Sequence, residues 1–237
     1  PYGQDWPRDG AFFNAPLDIA GYPELVEQHN RFYLDTIRTE DEDPELFIND
    51  EAPRDPVTGR KVFPAWSWEM NYYADGMVGG NIRFEIDNTG LAVWSLVAHA
   101  GYVADEAERL AYLDEVWPVV QAAADLLVRW RDPETGLHAP AHEDDNFAYT
   151  QTLHGAVAVY AGLANAARAA RTLGHAEDAV RYEDRAWELK QAVLTYLYND
   201  DTGLFMEGLE DRTNPGNLPG GSSSWLVWPA RMLPFGD

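Results

Sequence analysis

The sequence predicts an all-α protein made of tandem helical hairpins closed into a toroid. Three observations point there. Apolar residues recur at helical spacing almost wherever the chain is regular, and no convincing run of alternating strand residues appears. Within each pair of helices the turn is short and holds one glycine: "LDIAGYPE", "AHAGYVADE" and "RTLGHAED". Between pairs the links are long, roughly 39–86, 131–149 and 199–221. Short links join antiparallel neighbours, so the chain rises, turns tightly, descends and wanders before rising again. This is an internal repeat of long period.

The elements follow in order. The first helix is expected from Asp9 to Ala20, with Asp9 as its cap. The second runs from Pro23 to about Arg38, and the third from Asp87 to Ala100. The fourth, roughly Asp105 to Trp130, contains Pro118, which is expected to kink or divide it. Thr150 to Leu173 and Ala176 to Tyr198 are the fifth and sixth, rich in good helix formers. The fifth carries no charge before Arg168, as a helix surrounded by protein requires. A seventh is expected to open at Ser222–Trp225 and run into "WLVWPARML". Gly21, Gly101 and Gly174 each fit the left-handed residue that ends a helix.

Helical hairpins also build solenoids such as tetratricopeptide arrays, but those have tight links at both ends and a short, near-constant period. Here one end is elaborated, which favours the closed toroid. If the hairpins stack in one direction, the long links gather at one end, at the N-termini of the first helix of each pair. Long links in compact domains are usually functional. These hold "DWPRDG", "FPAWSWEMNYYADGMVGGNIRFEIDNTG", "HAPAHEDDNFAYT" and "NPGNLPGGSSSW". Aromatics and carboxylates around one cup suit sugar binding, since aromatic faces stack on pyranose C–H surfaces and carboxylates accept from hydroxyls.

Composition narrows the partners. The 237 residues carry 40 acids against 17 bases, a net charge of −23. Phosphate-backbone binding needs clustered Lys and Arg, so nucleic acid is not expected as a partner, and neither is an anionic membrane surface. Lys61 and Lys190 are the only lysines, and such an acidic surface suits high salt, where self-repulsion is screened. No cysteine is present, which removes disulfides, thiol nucleophiles and cysteine-based zinc sites. His138 and His142 are four apart, but Pro140 between them rules out a regular helical metal pair, so no metal is expected. No cofactor is expected either, because "GMVGGN" and "LPGGSSS" match no dinucleotide or phosphate loop. The chain opens on Pro1 rather than Met, so a preceding segment is expected.

Candidate residues follow from the loop end. Trp6, Trp66, Trp68 and Trp225 lie in or beside the long links, whereas Trp117, Trp130 and Trp187 sit inside helices and read as packing. Glu143, beside His142 and ahead of Phe147 and Tyr149, is a carboxyl that neighbouring aromatics could desolvate. Burial of that kind makes a general acid. The competing reading is an acidic loop that caps the helix beginning near Thr150.

Four segments resemble the glucoamylase-like glycoside hydrolases (glycoside hydrolase family 15). "WPRDGAFFNAPLDIAGYPE" is similar to the family's Trp-x-Arg-Asp helix opening. "FEIDNTGLAVWSL" resembles its apolar-Asp-x-x-Gly segment. "HEDDNFAYTQTLHGAVAVYAGLANAARAA" resembles Leu-Trp-Glu-Glu followed by Phe-Phe-Thr, and "SSSWLVWPARMLP" a later Asp-Ala-Ser-Leu-Leu helix. Their order and approximate spacing agree over nearly the whole chain. The resemblance implies an (α/α)6 barrel and an inverting, exo-acting hydrolase of an α-linked glucan or oligosaccharide. It implies that Arg8 and Asp9 hold the terminal sugar, that Trp6 walls it, and that Asp87 sits on the same rim. Glu143 would be the general acid, with Asp144 as the alternative because "HEDD" lacks the family's Trp and one residue. Only about half a barrel is present, so the general base is expected on a remaining half of the same polypeptide. Other toroidal carbohydrate enzymes, a phosphorylase or a polysaccharide lyase, and a non-catalytic glycan-binding protein are the alternatives.

Overall fold

The computed structural model describes residues 3–44, 52–80, 82–143, 146–209 and 221–234, with the backbone alone for 146–150 and 221. Among these residues six α-helices form three successive pairs, and the protein is all-α. The pairs are α1 (Pro7–Ile19) with α2 (Pro23–Thr36), α3 (Ile86–His99) with α4 (Glu106–Arg129), and α5 (Leu153–Leu173) with α6 (Ala176–Tyr196). No helix among the described residues is long and apolar enough to cross a membrane.

The helices lie in two rows. Helix α3 packs against α1 on one side and α5 on the other, while α2, α4 and α6 each back onto their hairpin partner. Burial follows this order. Every residue of α3 except Ala98 is buried, whereas α2 buries only Val26, Asn30 and Tyr33. Glycine sets the closest approach within the inner row. A Cβ at Gly90 would lie 2.4 Å from the Ala158 carbonyl oxygen, and one at Gly162 would lie 2.7 Å from the Gly90 oxygen. Helices α3 and α5 therefore touch backbone to backbone.

A polar chain ties the first two pairs together through their interior. Asn14 donates to Asn30 Oδ1 at 3.1 Å and to Ser95 Oγ at 2.9 Å, and Asn30 donates to the Tyr112 hydroxyl at 2.9 Å. Tyr112 passes its own proton to the Leu96 carbonyl at 2.9 Å. Each buried group thus has a partner, the condition under which a buried polar network specifies packing rather than weakening it.

The expected helices are present with ends shifted by a few residues. Helix α1 starts at Pro7 rather than Asp9, because proline is pre-set for the first helical position. Trp6 occupies the cap position and no side chain caps the helix; Asp9 lies in the first turn instead. Pro118 does not divide α4. Both Pro118 and Asp114 are exposed, so the carbonyl that loses its amide partner faces water. Gly21 and Gly174 have φ of +87° and +84°, as a left-handed helix end requires. Gly101 does not: it sits within a 3-10 turn, Ala100–Tyr102, that continues α3.

Two further expectations are corrected. Short antiparallel ribbons do occur: β1 (Gln4–Asp5) with β2 (Tyr72–Tyr73), β3 (Ala141–Glu143) with β4 (Asn146–Thr150), and β5 (Tyr198–Asn199) with β6 (Leu204–Phe205). Runs this short leave no visible alternation. The seventh helix is a 3-10 segment, Gly221–Leu226, followed by turns. Pro229 disfavours helical backbone at Trp228, and the segment folds back across the inner row. There Phe12 meets Trp225 at 4.8 Å and Trp228 at 5.4 Å between ring centroids, and Trp94 meets Trp228 at 5.5 Å.

Candidate active site

The first turns of α1, α3 and α5 meet, and they bring opposite charges together. Arg8 donates from Nη1 to Asp87 Oδ2 at 3.0 Å, and its backbone N–H donates to Asn88 Oδ1 at 2.7 Å. From α5, His154 places Nε2 2.7 Å from the same Asp87 oxygen. Glu85, just ahead of α3, lies 3.8 Å from Arg8 Nη1 and accepts from Asn88 Nδ2 at 2.7 Å. The Trp225 ring covers His154 at 4.4 Å.

Asp87 is fully buried at the start of a helix, and burial alone would raise its carboxyl pKa. The Arg8 charge and the His154 hydrogen bond outweigh burial and hold it far below the usual carboxylate range. The positive end of the helix acts in the same direction. Among the described residues, its second oxygen, Oδ1, has no hydrogen-bond partner. An ionised carboxylate with a spare acceptor is suited to a hydroxyl donor.

Arg8 and Asp9 part company here. The Arg8 side chain is buried against Asp87, while that of Asp9 is 54% exposed, 3.5 Å from Arg8 Nη2. Trp6 is half-buried at the mouth of α1, and Trp66 is partly exposed with φ of +63°. Trp68 is not at a surface. It is completely buried, its indole N–H donates to the Tyr33 carbonyl at 2.9 Å, and its ring meets Tyr33 edge-on at 6.4 Å. Trp68 is a core residue behind α2, because the link folds inward at that point.

Glu143 closes the N-terminus of α5 from outside the helix. Thr152 occupies the cap position and accepts from the Gly155 N–H at 3.1 Å. Glu143, at the end of β3, accepts from the same N–H at 2.9 Å and from the Thr152 hydroxyl. In a capping box the third helical residue would supply this carboxylate. Here that residue is Gly155, where a Cβ would come within 2.4 Å of the Glu143 carboxyl carbon. The glycine makes room for a carboxylate supplied by another element.

On the other side of Glu143, His138 Nε2 lies 2.9 Å from Oε1, an ion-pair contact off the line of a good hydrogen bond. The backbone donor, the hydroxyl and the histidine thus surround a carboxyl that is itself 2% exposed. Asp144 and the side chains of Phe147 and Tyr149 lie outside the described residues. Among the described residues no group of three or more His, Asp or Glu is placed to hold a metal ion.

Sequence reasoning missed His154, Asn88 and Glu85. A single polar residue in the first turn of an otherwise apolar inner helix, "TLHGA", was the available signal for His154. It also missed an ion network that pins the long link to the body. Glu69 receives Arg83 Nε at 2.7 Å and also pairs with Arg38, while Arg83 reaches Glu42 at 2.7 Å. No protein-family model matches the chain, and no curated protein is significantly similar to it.

Proposed function

We propose that the chain is part of an exo-acting glycoside hydrolase that releases a terminal sugar, glucose by family resemblance, from an α-linked glucan or oligosaccharide. The observation that supports this most is the buried Arg8–Asp87–His154 cluster at the joined N-termini of α1, α3 and α5. All three members fall in segments that resemble glucoamylase-like enzymes. The inner row of α1, α3 and α5 is taken as half of an (α/α)6 barrel, with the second half on the same polypeptide supplying the general base.

The proposed chemistry is inversion. One carboxylic acid protonates the leaving oxygen, and a second carboxylate, ~6.5–9.5 Å away in such enzymes, activates water on the opposite face. Asp9 accepts from the terminal sugar's hydroxyls, and Trp6 and Trp66 offer rings for stacking. Asp87 keeps Arg8 in place, and His154 holds Asp87 from the other side. The acid belongs to the β3–β4 hairpin, Glu143 by residue type or Asp144 beside it.

A second reading, glycan binding without hydrolysis, draws on one observation. Glu143 is buried and spends its carboxyl on the Gly155 N–H and the Thr152 hydroxyl, the contacts of a helix cap, whereas an acid catalyst must reach the leaving oxygen. Substitution on the intact polypeptide separates the cases. Glu143→Gln should lower turnover about 10²–10⁴-fold with sugar binding retained if Glu143 is the acid. Loss only in Asp144→Asn moves the role by one residue. Sugar binding with no turnover in the unsubstituted protein favours the second reading.

A further inference from the structure

The opposite end of the inner row holds a cavity of about 580 Å³. That is within the range of small-molecule pockets, about 300–1,000 Å³. Helices α1, α3 and α5 form its floor, and the returning segment Trp228–Arg231 forms one wall. Two aromatic rings shape it: Trp94 and Trp228 meet edge to face, with 89° between their planes. Tyr160 and Asn165 of α5 add a hydroxyl and an amide.

Two arginines, Arg168 and Arg231, also line this cavity. Most described arginines in this acidic chain are matched with carboxylates, as Arg83 is with Glu69, Arg171 with Glu183 and Arg181 with Asp125. These two are not. Arg168 has the Val97 carbonyl at 3.5 Å as its hydrogen-bond partner, and neither arginine is paired with a carboxylate among the described residues. The one carboxylate in the lining, Asp18, is engaged by His99 Nδ1 at 2.8 Å. Both arginine side chains belong to exposed residues at the cavity mouth, and Arg231 has φ of +52°, uncommon outside glycine.

We propose that this cavity is a second ligand site, for the phosphate monoester of a sugar. Arg168 and Arg231 bind the phosphate, and Trp228, which is exposed and backed by the buried Trp94, faces the ring. Guanidinium groups match phosphate oxygens in pairs, and aromatic faces suit the C–H surface of a pyranose. Partial burial of the inner end of its side chain, and after it the neighbouring Arg231 charge, lower the Arg168 pKa below its ordinary value. A dianion between them removes that repulsion. The site lies at the far end of the helices from Asp87, so it stands independently of the hydrolase reading.

The test is calorimetric titration of the 237-residue chain with glucose 6-phosphate, inorganic phosphate and glucose, at fixed ionic strength. Glucose 6-phosphate should bind, inorganic phosphate should compete more weakly, and glucose should not displace it. Arg168→Gln and Arg231→Gln should each weaken binding about tenfold to a hundredfold, the loss expected for one charge-assisted hydrogen bond. Arg168→Lys should recover part of it. Circular dichroism checks that each variant keeps its helices; both side chains reach solvent, so folding is expected to persist. Equal binding of glucose and its phosphate, or affinity untouched by either glutamine substitution, overturns the proposal. Inorganic phosphate binding as tightly as the ester overturns the sugar assignment.

Discussion

His138 and Glu143 meet in the interior, with Nε2 2.9 Å from Oε1. Nδ1 faces the Ala139 carbonyl at 2.9 Å, and a carbonyl only accepts, so Nδ1 carries a hydrogen. The Glu143 carboxyl beside Nε2 then favours a second proton on the ring. Burial alone would lower the His138 pKa, but Glu143 outweighs it and the net shift is upward. A raised folded-state pKa gives stability that is fully present below the unfolded value, ~6.5, and is lost as pH rises through the folded value. The stability gap between the natural chain and His138→Gln should therefore be larger at pH 6 than at pH 9, by urea denaturation. A gap that does not change with pH would mean that His138 is neutral in the folded state.

Gly155→Ala should disturb this pair without touching either member. The new methyl would intrude on the Glu143 carboxylate, which must move from the α5 N-terminus. The expected result is a lower His138 pKa, followed by NMR of the imidazole carbon-bound proton. An unchanged titration would show that the carboxylate has room to stay.

Asp87→Asn should be costly at neutral pH. It leaves the Arg8 guanidinium buried without its nearest charge, and breaking a buried pair from one side costs ~3–5 kcal/mol. Because the folded Asp87 pKa is depressed, its contribution is present above the unfolded value, ~3.9, and fades as pH falls through the folded one. Urea denaturation at pH 7 checks the first statement, and a shrinking difference in strong acid checks the second. A loss below ~1 kcal/mol at pH 7 would mean that Glu85 and Asp9 suffice for Arg8.

Gly90→Ala should test the backbone contact between α3 and α5. The obstructing atom is the Ala158 carbonyl oxygen, 2.4 Å from the added carbon, and a helix backbone cannot swing aside as a side chain can. Overpacking costs ~1–3 kcal/mol, read as a lowered melting temperature. An unchanged melting temperature would mean that the inner row spreads freely.

The helices were legible because their information is local: apolar period, turn glycines, and few charges along the inner stretch from Thr150 to Arg168. The misreadings share a non-local cause. Pro118 is tolerated because the carbonyl it orphans faces water, a fact set by which side of α4 packs. Trp68 read as a site residue from its place in a long link, yet that link folds inward and is held by Arg38, Glu69 and Arg83, distant in sequence. Glu143 was visible as a candidate, and its capping reading was also visible. What could not be read was Gly155 making room for its carboxylate, nor His154 reaching across to Asp87.

The most direct measurement is proton NMR of the intact polypeptide incubated with maltose, isomaltose, trehalose, starch and dextran. The glycosidase account predicts that at least one α-linked substrate is cleaved and that its non-reducing-end sugar appears first as the β-anomer; trehalose alone would give α and β in equal amounts, because its leaving glucose keeps the α configuration. It also predicts that Asp9→Asn weakens binding and rate together, about tenfold to a hundredfold in specificity, for the loss of a charged hydrogen bond. Release as the α-anomer would contradict inversion. No release from any of the five, by a polypeptide that is folded and complete, would contradict the hydrolase assignment itself.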